Sequence, residues 1–229
     1  MAAQGVPDLA EAVRETGLDG WLLYDFRRSN PIAHRVLNLE SGALFSRRWF
    51  YYIPAQGEPT ALISAVEPHV LSELPGQRRI FQTWNELYGL LRETLAGARR
   101  VAMEYSPDNA IPVTSWVDAG TVDWIRSLGI EVVSSANLAQ RFEAVLSPAQ
   151  IASHRDASQR ILTARDALLD WVREELRADN TNLTEYTVQA RFHELTHQQG
   201  LTFEHGHIVA VNAHAGDPHY ETNRAEALP

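Results

Sequence analysis

The sequence has no cysteine. Disulfides, thiolate metal sites and cysteine nucleophiles are therefore excluded. It has no lysine either, since all 20 basic residues are arginine. Schiff-base chemistry, a Walker A lysine and a kinase lysine are excluded with it. No apolar run reaches the roughly 18 residues that a bilayer crossing needs. The opening MAAQGVPDLAEAVRETG carries Asp8 and Glu11 and lacks an apolar core, so it does not read as a signal peptide. No G-x-G-x-x-G follows a strand and no G-x-S-x-G occurs, which removes the signals for dinucleotide binding and for a nucleophile elbow. Positive charge is also scarce: 20 basic against 29 acidic residues leave a net charge of −9. A nucleic-acid surface built on bulk charge is not expected.

What is present is core-forming material. The 229 residues are 45% hydrophobic and 21% charged, enough for a buried interior and against long disorder. The composition describes a soluble, acidic α/β protein, expected in the cytoplasm, with no membrane and no nucleic-acid partner.

Helix and strand signals alternate along the first half. Pro7 to Thr16 reads as a helix closed by Gly17, and Gly20 to Tyr24 as an apolar strand. Asn30-Pro31 opens a helical turn. Arg48–Ile53 and Thr60–Ile63 read as strands joined around Gly57. Leu87, Leu90, Leu91 and Leu95 recur at helical spacing over 84–95. A strand over 100–104, a helix over 116–127 and a strand over 130–133 follow. Trp49, Phe50, Tyr51 and Tyr52 occupy both faces of their strand, which fits buried strand core or a subunit interface better than a ligand groove.

A break falls at Leu146-Ser147-Pro148. Ser147, Pro148 and Gln150 form a capping box at the head of the longest helix, running to about Leu176. Thr184 caps a second helix that stops at Gly200. Leu201–Glu204 and His207–Val211 read as strands. The division is a domain over 1–146 and the start of another over 147–229.

Two constellations carry chemical signals. His193-Glu194-Leu195-Thr196-His197 is an H-E-x-x-H, whose i and i+4 imidazoles share one helix face. Gly200 extends it, but the position for a third histidine holds Phe203, and His205 misses it. Glu204, Glu221 and Glu226 are poor substitutes because none falls on a plausible second helix. The second constellation is His205, His207, His214 and His219, dense enough to suggest paired strand imidazoles. Surface exposure is the plainer reading of each taken alone. The paired carboxylates Glu174-Glu175, and Asp118 with Asp123, fit solvated helix faces.

Several segments, in order, resemble one family. They are Asp19-Gly20-Trp21-Leu22-Leu23-Tyr24, the Ser147-Pro148 boundary with its long helix, Thr184-Glu185, and the tail from Gly200 to Tyr220. In that tail Ile208-Val209-Ala210-Val211-Asn212-Ala213 precedes Asp217-Pro218-His219-Tyr220. The chain resembles the N-terminal two-thirds of the creatinase/prolidase/aminopeptidase P group, the pita-bread metallopeptidases. The resemblance implies an α/β creatinase-like N-terminal domain, a mixed sheet with flanking helices, followed by the first, incomplete part of an α+β pita-bread domain. It implies hydrolysis of the bond before proline by a hydroxide held between two metals about 3.5–4 Å apart. It implies a peptide substrate with proline at the second position, and a homodimer. His219 is the single residue carried over, as a catalytic and substrate-binding group donating a hydrogen bond to the substrate or its tetrahedral oxygen.

The departures set limits on that expectation. The usual glycine between Val211 and Asn212 is missing. The family's metal ligands follow the P-H-Y histidine, and the chain ends at Pro229 before any of them. Mn, Co or Zn is expected for a full-length family enzyme, none is expected to bind this chain, and the chain as given is expected to be inactive. The family also treats the helix before Gly200 as packing rather than metal site. The open alternatives are a non-catalytic peptide- or partner-binding module, a creatinase-like amidinohydrolase, and an H-E-x-x-H zinc protease. In an incomplete second domain, Leu168, Leu169 and Val172 are expected to lie exposed.

Overall fold

The computed structural model describes residues 6–39, 44–225 and 227–228. Met1, Glu226 and Pro229, on which the sequence reading touched, lie outside them. The chain divides into two compact units, Met1–Val145 and Leu146–Pro229.

The first unit is a six-stranded mixed sheet in the order β4-β3-β2-β1-β5-β6. Its elements are α1 (Val6–Thr16), β1 (Gly20–Asp25), α2 (Pro31–Val36), β2 (Trp49–Pro54), β3 (Thr60–Ser64) and β4 (Gln77–Phe81). They continue with α3 (Trp84–Thr94), β5 (Arg100–Met103), α4 (Ala119–Ser127), β6 (Glu131–Ser134) and α5 (Ala136–Glu143). β2 runs against its two neighbours, β1 and β3, while the other pairs are parallel. β1 is buried along its whole length, as its unbroken apolar run requires of a central strand.

The period of two sorts side chains onto two faces. Trp21, Leu23, Trp49, Tyr51 and Ile63 pack against Leu9 and Val13 of α1, Ala33 of α2 and Leu138 of α5. Leu22, Tyr24, Phe50, Leu62, Val101 and Met103 pack against Leu87 and Leu91 of α3 and Ile125 of α4. The four aromatics of β2 are all buried in these two layers. Gly20 admits the ring of Tyr52, because a Cβ there would sit 2.2 Å from its Cε2. The Tyr52 hydroxyl donates to the Asp19 carbonyl at 3.0 Å.

The first unit departs from the sequence reading in three places. β4 was not expected, because Gln77-Arg78-Arg79 does not look like a strand; it is an edge strand whose charges face water. α5 is too short for a helical period to show, yet Leu138 and Ala139 are buried. The helix expected from residue 116 starts at Ala119, where Asp118 accepts from the Thr121 N–H at 2.9 Å.

The second unit contains α6 (Pro148–Arg177) and α7 (Glu185–Gln198). Ser147 and Gln150 exchange capping hydrogen bonds at 2.8 and 3.2 Å. Ala164 and Leu168 of α6 meet Leu195 of α7, with Trp171, Val172, Val188 and Phe192 around them. Leu168 is therefore buried and Val172 half-buried, against expectation, while Leu169 is exposed. The strands expected at 201–204 and 207–211 do not form. No ladder partner reaches them among the described residues, and side chains take their backbone groups instead. Gln189 donates to the His207 carbonyl at 2.6 Å, and the Thr222 hydroxyl bonds both backbone groups of Val209.

Candidate functional site

The tail of the second unit is tied to the first turn of α7 through Glu185. The Glu185 backbone N–H donates to the Leu228 carbonyl at 2.9 Å. Its side chain is fully buried and accepts four hydrogen bonds. Oε1 takes the Val211 N–H at 2.7 Å. Oε2 takes the Tyr220 hydroxyl at 2.8 Å, His214 Nδ1 at 2.9 Å and the Leu228 N–H at 2.9 Å. The His214 and Tyr220 rings stack at 4.2 Å. Desolvation pushes the carboxyl up, but these donors outweigh it and bring Glu185 down to about 2. It is a carboxylate at any ordinary pH.

This clamp presents His219. Tyr220 is buried beside Glu185, while His219, one residue earlier, is exposed. The Asp217 carboxylate accepts the His219 N–H at 2.9 Å and closes the turn. Sequence reasoning singled out His219 and missed Glu185 and Tyr220 as its supports. Thr184-Glu185 was noticed only as a helix opening, and no periodicity links it to a tyrosine 35 residues away.

The four tail histidines do not form one site. His214 belongs to the Glu185 clamp and His205 is exposed. His207 joins the H-E-x-x-H face: its Nε2 meets the Thr196 hydroxyl at 2.8 Å, and its N–H donates to His193 Nε2 at 3.2 Å. Phe203 lies against His193, His197 and His207 with centroids 4.6, 5.1 and 4.7 Å apart. His197 donates from Nδ1 to the Leu201 carbonyl. Glu194 pairs with Arg191 at 2.5 Å and Gln198 at 3.2 Å on its own helix. Burial, and then the neighbouring imidazoles, hold His193 and His207 below the ordinary histidine range. The zinc-protease alternative fails on this geometry. His193 Nε2 is already occupied by a backbone N–H, Phe203 lies against both imidazoles, and Glu194 bonds within its own helix. No group of three metal-ligating side chains occurs among the described residues. An open cleft of about 390 Å³ lies beside the cluster, lined by His154, Ile161, Leu201 and Phe203.

The first unit buries a carboxyl of its own. Glu104 follows β5 and is fully buried. Its Oε1 accepts from the Trp21 indole at 2.7 Å and the Ser135 hydroxyl at 3.0 Å. Its Oε2 accepts from the Asn30 amide at 2.7 Å. Desolvation dominates, these three neutral donors offset only part of it, and the carboxyl ends at about 6. Asn30 also caps α2 through the Ala33 N–H at 3.1 Å and donates to the Tyr24 carbonyl. The network thereby joins the ends of β1, β5 and β6.

No protein-family model matches the chain, and no curated protein does. Solved structures similar to it include a prolidase from Pyrococcus horikoshii OT3, at 16% identity and TM-score 0.44, covering 84% of this chain and 48% of that one. Dipeptidase PepE from Mycobacterium ulcerans is 19% identical, with TM-score 0.49 and coverage of 85% and 48%. A proline dipeptidase from Streptococcus pneumoniae TIGR4 is 18% identical with TM-score 0.42, matched over 62% of this chain and 98% of its own. The chain spans about half the length of the first two. At these identities the likeness concerns the fold. No helix among the described residues is long and apolar enough to cross a membrane.

Proposed function

We propose that the chain belongs to a hydrolase that cuts the peptide bond before proline, in the manner of Xaa-Pro aminopeptidases and prolidases. The observation that carries the reading is the Glu185 clamp on the P-H-Y segment, which buries Tyr220 and leaves the His219 ring free. An imidazole N–H held there donates to the scissile carbonyl and follows the oxygen as it gains charge. The same reading includes a substrate with proline at its second position and a homodimer. Mn, Co or Zn belongs to it through the family resemblance. The described residues do not form a metal site, so no step is derived through a metal.

The test is NMR observation of the His219 imidazole while Ala-Pro, Ala-Ala or creatine is added. A shift with Ala-Pro and not with the others supports the reading. A response to creatine instead favours the amidinohydrolase. Equal responses to the two peptides, or none, contradict proline recognition at His219.

A further inference from the structure

We propose a second binding surface, on the first unit, that takes an acidic segment of another polypeptide. It lies where the β1–β2 ladder ends. Asp25 pairs with Trp49, so Phe26-Arg27-Arg28 and Ser46-Arg47-Arg48 face each other just beyond. Four of the 20 arginines of an acidic chain lie in these two segments; Arg48 turns to the α3 side, over Trp84, while Arg28 stacks 5.3 Å from the Phe45 ring on the other face.

The backbone of the Phe26-Arg27-Arg28 segment is strained. Arg27 and Arg28 both adopt the left-handed conformation, with φ 58° and 61°. Side-chain-bearing residues do so at a cost of about 1 kcal/mol or more each, and such strain concentrates at functional loops. Buried Asp25 maintains it by accepting the N–H groups of Arg28 at 3.0 Å and Asn30 at 2.9 Å.

The acids at this end are committed elsewhere. Besides Asp25, Glu67 accepts from the Ser46 hydroxyl and from the N–H groups of Ser46 and Arg47. Asp118 caps α4, and Glu86 accepts the N–H groups of Gln82 and Thr83. Arg27, Arg47 and Arg48 form no ion pair with any described residue. Arg48 instead stacks 3.6 Å over the Trp84 ring, with Phe26 at 6.0 Å. A guanidinium fixed by its face keeps its N–H edge for a carboxylate. Trp84, Phe26 and Tyr88 are exposed, which adds apolar area next to the charge. Tryptophan, tyrosine and arginine together are the composition of protein-binding centres.

The position in the fold agrees. β1 leads on to β2, β3 and β4 on one side, and β5 returns on the other side of β1. The carboxyl ends of β1 and β5 are thus a topological switch point, where open α/β sheets bind their ligands. A net charge of −9 opposes a uniformly charged nucleic acid but tolerates a few carboxylates spaced by apolar side chains.

The experiment titrates the chain into a labelled short peptide of alternating glutamate and leucine and reads fluorescence anisotropy. Saturable binding is expected, weakened about tenfold by Arg48→Glu and about threefold by the milder Arg27→Gln. Arg155→Glu, on the exposed face of α6, should change affinity less than about twofold. Any of four results overturns the proposal: unchanged affinity in both patch variants, equal binding of a control peptide in which lysine replaces each glutamate, equal or tighter binding of a single-stranded oligonucleotide, or a chain dimer that Arg48→Glu dissociates. The last would make a second copy the occupant.

Discussion

Each unit buries one glutamate, and the two are driven in opposite directions. Glu104 ends at about 6 and Glu185 at about 2. Both are closed off from solvent, but Glu104 lies deeper in packed structure, so desolvation weighs more on it. Their donors differ as well. Glu104 receives three neutral side-chain donors, from Trp21, Asn30 and Ser135. Glu185 receives two backbone N–H groups, a phenol and an imidazole, and it sits in the first turn of α7, the positive end of the helix dipole. The first carboxyl joins strand ends inside a core. The second ties down a tail that has no ladder of its own, and so positions His219.

The largest effect that sharpens this comparison is Glu104→Ala. It orphans the Trp21, Asn30 and Ser135 donors in a closed core and should cost about 3 kcal/mol, measured by urea unfolding of the first unit. Next is the pH dependence of the same group. Native Glu104 keeps its proton to about pH 6, while the unfolded chain releases it near 4.5. Folding takes up a proton between those values, so stability from this group is greatest below pH 4.5 and falls as pH rises through 6. The loss is about 2 kcal/mol by pH 7. Glu104→Gln should abolish that slope; an unchanged slope would assign it to another group.

Glu185 follows the opposite rule. Its folded value lies below the ordinary one, so its stabilisation is present above pH 4.5 and is lost only as pH falls through about 2. Glu185→Ala should speed hydrogen exchange at the Val211 and Leu228 amides by about tenfold or more and leave β1 unaffected. Tyr220→Phe removes one donor of four and should speed the same amides by only about threefold. Smallest is Glu194→Ala, on an exposed helix face, expected to change stability by less than about 0.5 kcal/mol. A large loss of fold or of metal affinity there would revive the H-E-x-x-H reading.

The two units also differ in how much of them can be read from sequence. β1, β2 and β3 announce themselves because apolar residues occupy both faces of a covered sheet. β4 does not, since Arg78 and Arg79 serve an edge. In the second unit the caps at Ser147 and Thr184 are legible, being local chemistry within three residues. His207–Val211 has the composition of a strand, but strand formation needs a partner, and composition says nothing of one. His219 was found through its neighbours Pro218 and Tyr220. Its clamp was not, because Glu185, Val211, His214, Tyr220 and Leu228 share no periodicity. The H-E-x-x-H spacing correctly places two imidazoles on one face of α7, but Phe203, from beyond the helix, decides what that face does.

The central claim is that an ionised Glu185 holds the segment that presents His219. Titration of both buried carboxyls by carbon NMR in one sample tests it most directly. The account predicts midpoints at about 6 for Glu104 and about 2 for Glu185, with His214 and Tyr220 signals following the lower one. A Glu185 midpoint at the ordinary glutamate value, with His214 and Tyr220 unmoved as it titrates, would contradict it.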